Sequence, residues 1–197
     1  MLDAVICARD KWLSSNGIMA PNRLDMLVAG FMDEDYINDR YHFWNHVYGF
    51  DMSDMKSFIL KDAQVDCFDP KSLMTRPHIV KSIDTKSSSV KDLDFSVPLE
   101  WVMERDGRLH GVLGWFDTYF EGPGMESIFF STGPQATPTH WKQSLFIFRE
   151  AFDVSKGDKL TGQLTVLKSL EYHRDLEIRV ELWMDQQQKV NQVYTLR

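Results

Sequence analysis

The sequence contains little that would suit a secreted or membrane-spanning protein. Its 197 residues include only two cysteines, Cys7 and Cys67, which lie far apart and form no CxxC pair. Such a low content favours reduced thiols over a disulfide framework. No apolar run approaches the roughly 20 residues needed to cross a bilayer, and no basic segment followed by an apolar one opens the chain. We therefore expect a cytoplasmic and/or nuclear protein without a membrane partner.

Positive charge is also scarce. Lys and Arg together number 22 against 29 Asp and Glu, which gives a formal net charge of −7 at pH 7. Nucleic-acid binding requires clustered cations that displace counterions from phosphates, so this balance argues against a nucleic-acid partner. The same balance favours a basic partner, such as an Arg-rich peptide.

Common catalytic and metal-binding motifs are missing. The three glycines in DGRLHGVLG, residues 106–114, are not spaced as GxGxxG, and neither a P-loop nor a GxSxG nucleophile turn occurs. His42 and His46 are four residues apart, as in helical zinc pairs, but Phe43 replaces the glutamate of such helices. Surface histidines on an aromatic helix are the better interpretation, and we expect no bound metal.

The residues that are present favour β structure. Aromatic residues make up 13% of the chain, and Leu176, Ile178, Val180 and Leu182 alternate with charged residues as in a half-buried strand. Similar runs recur every 8–15 residues or so, separated by Gly, Pro, Asp and Ser. Strands are predicted within 24–31, 63–69, 78–84, 94–104, 109–120, 126–134, 143–150, 159–169, 176–185 and 192–197. The fold class is therefore mainly β, an antiparallel barrel-like or sandwich-like domain.

Two segments depart from this pattern. Apolar residues at helical spacing predict a helix over 2–13, ended by Ser14-Ser15-Asn16-Gly17. Acidic and aromatic residues alternate at helical spacing over 33–56, which predicts two short helices with an aromatic surface. Most aromatic stripes are buried in their own domain, so core packing is one interpretation. The other is a protruding insertion that forms a symmetric dimer contact.

Four stretches together resemble the C-terminal half of a type I protein arginine N-methyltransferase. They are MLDAVICARDKWL, FWNHVYGFDMS, FSTGPQATPTHWKQSLF and HRDLEIRVEL, and their order and spacing match along nearly the whole chain. The resemblance implies a β-barrel substrate domain that follows a Rossmann-like methyltransferase domain. Residues 1–20 would be the terminal helix and connection from that domain, and 21–197 the barrel, with a dimerisation arm inserted at about 33–58.

The resemblance also implies roles for particular residues. Thr139, His140 and Trp141, the Thr-His-Trp loop, would border the pocket for the target arginine. His140 would support catalysis by orienting pocket carboxylates, and Thr139, Trp141 and Met1 would contact the substrate. The arm residues would be Tyr41, Trp44, Tyr48, Phe50 and Met52. A complete enzyme of this kind is a homodimeric transferase that uses S-adenosyl-L-methionine to methylate Arg/Gly-rich proteins such as histones.

The chain departs from the family at its beginning. It opens immediately after the position of the second pocket glutamate, so both glutamates, the Gly-rich cofactor loop and the ribose-binding acid are absent. Methyl transfer needs carboxylates that hold the guanidinium in line with the methyl donor. We therefore expect the chain alone to bind no cofactor and to be inactive. An alternative is a non-catalytic module that binds Arg-rich partners or pairs with a methyltransferase.

Overall fold

The computed structural model describes residues 2–124, 126–172 and 174–197. Helix α1, Leu2–Trp12, ends before the Ser-Ser-Asn-Gly stretch, as predicted. Ile6 is its only buried residue, whereas Val5 and Trp12 are exposed, so the predicted apolar face is only partly covered. Polar contacts hold the helix to the body of the fold. Arg9 donates from Nη1 to the carbonyls of Thr85 and Ser88, at 2.9 and 2.7 Å.

Within the described residues ten strands form two antiparallel sheets, which confirms the predicted fold class. Every predicted run overlaps one of these strands. The bounds are β1 Arg23–Phe31, β2 Gln64–Asp66, β3 His78–Asp84, β4 Phe95–Val102, β5 Gly107–Phe120, β6 Ile128–Ser131, β7 Gln143–Val154, β8 Lys159–Lys168, β9 Leu176–Met184 and β10 Gln187–Leu196. The first sheet has the order β2-β7-β5-β1-β3, with β6 paired to β5, and the second has the order β10-β9-β8-β4.

Side chains of the first sheet alternate between two cores. Val28, Val112 and Phe146 point inward and pack with second-sheet residues such as Val180 and Leu182. Their neighbours along the same strands point outward and form a second core. That outer core contains Leu27, Phe31, Leu113, Trp115, Leu145 and Ile147.

In the segment between β1 and β2, only one of the two short helices predicted within 33–56 forms there, α2, Glu34–Arg40. The aromatic stretch that follows forms single 3₁₀ turns at His42–Asn45 and Ser53–Met55, and helix α3, Lys56–Ile59, begins where the predicted range ends. The segment begins and ends on the outer core, because Ile37 and Leu60 are buried there. None of the helices formed by the described residues is long and apolar enough to cross a membrane.

Candidate functional site

The Thr-His-Trp loop lies in a tight turn between β6 and β7. Lys142 closes the turn: its N–H donates to the carbonyl of Thr139 at 3.1 Å, and its φ of 55° lies in the left-handed region. The Lys142 ammonium also lies 3.4 Å from Oδ1 of Asp66 on β2. Gln143 follows it and is buried, donating to the carbonyl of Thr132 and accepting from the N–H of Phe68. These bonds fix both ends of the turn.

Aromatic side chains support the loop from below. The Trp141 ring is stacked with Phe130 at a centroid distance of 5.9 Å and meets Phe116 edge-on at 5.8 Å. Trp141 nevertheless stays 49% exposed, so one side of the ring remains open to a ligand. The exposed His140 ring is 4.0 Å from the Trp141 ring, centroid to centroid. This geometry places His140 and Trp141 on a shared outer surface.

Thr139 and Gly133 lie in close-packed surroundings at the start of the loop and before it. The Thr139 Oγ1 atom is buried and has no hydrogen-bond partner among the described residues. Gly133 lies directly against Trp115, because a Cβ at this position would be 2.7 Å from the indole Nε1. A side chain larger than glycine would therefore push the loop away from the outer core.

An apolar groove of about 410 Å³ lies beside Trp141, between α1 and the two sheets. It is lined by Leu2, Val5, Leu24, Met26, Leu27, Val28, Val80, Ile83, Gly114, Trp115, Phe116, Trp141, Ser144, Phe146, Leu164, Val166, Ile178 and Leu196. None of these side chains is ionisable. The groove can contact methylene groups, but by itself it cannot neutralise a guanidinium.

The predicted arm residues differ in their exposure. Tyr48 and Phe50 are 98% and 72% exposed, and neither ring stacks on another ring of the described chain. Met52 is also exposed, and Trp44 is half-buried with its ring 5.3 Å from that of Phe43. Tyr41, in contrast, is only 9% exposed and packs into the outer core. Of the two interpretations of the aromatic stretch, packing in the chain's own core is correct for Tyr41, whereas exposure at the surface is correct for Tyr48 and Phe50.

His110 anchors the base of the arm, and sequence reasoning missed it. Its side chain is 3% exposed; Nδ1 accepts the N–H of Asp33 at 3.2 Å, and Nε2 lies 3.1 Å from Oε1 of Glu34. An Nδ1 atom that accepts carries no proton, so Nε2–H donates to Glu34 from a neutral ring. Burial lowers the pKa of His110, although the nearby Glu34 carboxylate opposes that shift. The only sign of this role in the sequence was a histidine within an otherwise apolar stretch of a predicted strand, LHGVL.

The remaining predicted residues are not brought together into a site. Met1 lies outside the described residues. His42 and His46 do not join a third His, Cys, Asp or Glu in any potential metal cluster within the described part of the chain. Cys7 and Cys67 are both free and exposed.

Known proteins resemble almost the whole chain. The model of the arginine methyltransferase oligomerization subdomain matches residues 22–187. Protein arginine N-methyltransferase 1 of Chlamydomonas reinhardtii is 35% identical over 91% of this chain and 52% of its own length. Protein arginine N-methyltransferase 1.1 of Arabidopsis thaliana is 33% identical over 91% of this chain and 46% of its own. The chain thus spans about half the length of the curated relatives it matches.

Solved structures of such enzymes have the same fold. The Trypanosoma brucei PRMT1 enzyme–prozyme heterotetrameric complex with AdoHcy superposes with a TM-score of 0.92 at 27% identity, covering 100% of this chain and 63% of that chain. Arabidopsis thaliana protein arginine methyltransferase 10 superposes with a TM-score of 0.80 at 26% identity, covering 99% and 65%.

Proposed function

The chain belongs to the arginine methyltransferase family through its oligomerization subdomain, and we propose that it forms the substrate-binding and dimerisation portion of a complete protein arginine N-methyltransferase. The observation that carries this proposal is the Thr-His-Trp loop, which is fixed at both ends and held over Phe130 and Phe116. Such support is what a pocket wall requires, because substrate must be aligned without reorganisation of the protein.

Each residue of the loop has a proposed part in that pocket. The open side of Trp141 would line the channel for the methylene groups of the target arginine. The exposed His140 would hydrogen-bond and orient carboxylates that hold the guanidinium. Thr139 would fix the start of the turn, and Met1 would approach the same arginine. We propose Arg/Gly-rich proteins, including histones, as substrates in the cytoplasm or nucleus.

S-adenosylmethionine, the methyl donor proposed for the complete enzyme, does not fit the described residues. The groove beside Trp141 has no carboxylate among its side chains, and its polar groups are the Ser144 hydroxyl and the indole N–H groups of Trp115 and Trp141. A sulfonium and a ribose, in contrast, require carboxylates and hydrogen-bond acceptors. We therefore propose that the polypeptide of these 197 residues transfers no methyl group by itself. The cofactor would bind to the portion of the relatives' length that this chain does not match.

The test combines this polypeptide with the cofactor domain of a relative. The polypeptide alone should not label an Arg/Gly-rich peptide from radioactive S-adenosylmethionine, and fusion to the cofactor domain should restore labelling. In the active fusion, His140→Ala should lower kcat by about tenfold or more, in the range of a lost orienting group. The matched variant is His78→Ala on β3, which should leave kcat unchanged. Labelling by the polypeptide alone, or no loss with His140→Ala, would contradict the proposal.

A second candidate is a non-catalytic subunit that pairs with a methyltransferase. The observation that favours it is the likeness to the Trypanosoma brucei complex, which contains an enzyme and a prozyme. The exposed Tyr48 and Phe50 would then contact the enzyme subunit, in place of a second copy of the same chain. Sedimentation of the polypeptide with an active relative distinguishes the two: a stable mixed complex with raised activity supports the subunit, and separate sedimentation argues against it.

A further inference from the structure

The two sheets leave a seam between β7 and β10. Within the described residues no backbone ladder joins these strands, and side chains of β10 bridge the gap instead. The Gln192 carboxamide accepts the N–H of Arg149 at 2.7 Å, and the Tyr194 hydroxyl donates to the carbonyl of Ile147 at 2.9 Å. Two backbone groups of β7 at the seam, the Arg149 N–H and the Ile147 carbonyl, are thereby hydrogen-bonded.

On the β10 side of the seam, only some of the backbone N–H and C=O groups have hydrogen-bond partners. Thr195 pairs outward, donating to the Lys61 carbonyl at 2.7 Å and accepting from Ala63 at 3.0 Å. Residues two apart in a strand point to the same edge, so Asn191 and Val193 also direct their N–H and C=O groups outward. Neither has a backbone partner there in the described structure. The opposite edge strand of this sheet, β4, contains Pro98, a residue that limits strand addition.

A groove of about 500 Å³ runs along this open edge. Its charged side chains are Lys61, Arg149 and Lys189, with Glu150 as the only carboxylate lining it. Lys189 donates to the Gln187 carboxamide at 2.6 Å. Lys61 and Arg149 form no ion pair within the described part of the chain. Although the net charge of the chain is −7, this groove is locally basic. It lies beside the backbone groups of Asn191 and Val193 on β10 that have no backbone partner in the described structure.

We propose that this groove binds an extended acidic peptide segment of another protein, which adds as a strand along β10. The peptide backbone would pair with Asn191 and Val193, while its carboxylates would meet the three cations. A second copy of this chain fits poorly, because pairing β10 with β10 across a two-fold axis would bring the two basic grooves together. The proposal is independent of methyl transfer.

The test uses a fluorescein-labelled peptide of alternating glutamate and valine, titrated into the 197-residue protein. Fluorescence anisotropy should show binding that weakens as salt rises. Lys61→Glu/Arg149→Glu should weaken it by about tenfold or more, since two attractive charges become repulsive. The matched control, Lys86→Glu/Lys159→Glu, changes net charge equally at exposed positions outside the groove and should bind as wild type.

A second pair of measurements tests strand addition apart from charge. A glutamate–valine peptide with N-methylated alternate amides cannot form the ladder and should bind about tenfold more weakly or worse. Circular dichroism should confirm that the charge-reversal variant remains folded. The proposal is overturned by no binding of the glutamate peptide, by equal binding of a lysine–valine peptide, or by equal binding of the methylated peptide. Peptide-free dimers through β10, seen in sedimentation, would overturn it as well.

Discussion

The Thr-His-Trp loop and the arm both expose aromatic rings, but only the loop supports its ring within the chain. Trp141 rests on Phe130 and Phe116 and is half-exposed, whereas Tyr48 and Phe50 have no stacking partner among the described residues. A ring held in place before binding loses little entropy when a small ligand arrives. A ring without support is stabilised only when another surface covers it. The first arrangement suits a substrate pocket, and the second suits a contact between subunits.

The largest expected effect comes from Tyr41, where the arm is part of the core. Tyr41→Ala should lower the free energy of unfolding by about 3 kcal/mol, in the range for deleting a buried aromatic ring. Urea denaturation followed by circular dichroism measures the change. A loss as small as that of Tyr48→Ala would show that the base of the arm is no better packed than its exposed part.

The next effect is a pH dependence at the base of the arm. Because burial holds the His110 pKa below its usual value, the unfolded state binds more protons as pH falls below about 6.5. Stability is therefore fully present above the unfolded pKa and is lost as pH falls through the folded one. The groups facing the ring are Glu34, Asp33 and Arg108. The free energies of unfolding at pH 7 and pH 5 should differ less in His110→Gln than in wild type. An equal difference in both proteins would show that groups other than His110 cause the pH dependence of stability.

A smaller effect is expected at the Thr-His-Trp loop. Trp141→Ala removes the ring contacts with Phe130 and Phe116 and the contact with the exposed His140 ring from a half-exposed side chain, so the free energy of unfolding should fall by about 1 kcal/mol. Trp141→Phe keeps much of the aromatic contact and should recover most of that loss in the same urea titration. A loss as large as that for Tyr41→Ala would mean that the loop is part of the core.

The smallest effect on stability is expected at the exposed part of the arm. Tyr48→Ala/Phe50→Ala should change the free energy of unfolding by less than about 0.5 kcal/mol, because both rings are exposed. The same variant, placed in the complete enzyme, should shift sedimentation from dimer towards monomer. An unchanged sedimentation coefficient would show that Tyr48 and Phe50 do not contribute to the contact between subunits.

The sequence predicted the strands well because their signals are local. Apolar and charged residues alternate from Leu176 to Leu182, and a strand places every second side chain on the same face. The structure accordingly buries Ile178, Val180 and Leu182. Tyr41 and Tyr48 could not be separated in this way, since helical spacing does not say which residues return to the core. His110 was missed for a related reason: its partners Asp33 and Glu34 are more than seventy positions away along the chain. The roles of Thr139, His140 and Trp141 came from family resemblance, and their spacing alone indicated only a turn.

The two ends of the arm are attached with unequal mechanical strength. One end continues from β1, a nine-residue strand paired on both sides by β3 and β5, and the other leads into β2, which has three residues and pairs with β7 alone. A pull on the arm would load many hydrogen bonds along β1, but at the other end only the two bonds that join Lys61 and Ala63 to Thr195 and the few along β2. Under tension the β2 attachment would yield first, so the arm could swing outward while still tethered to the centre of the sheet.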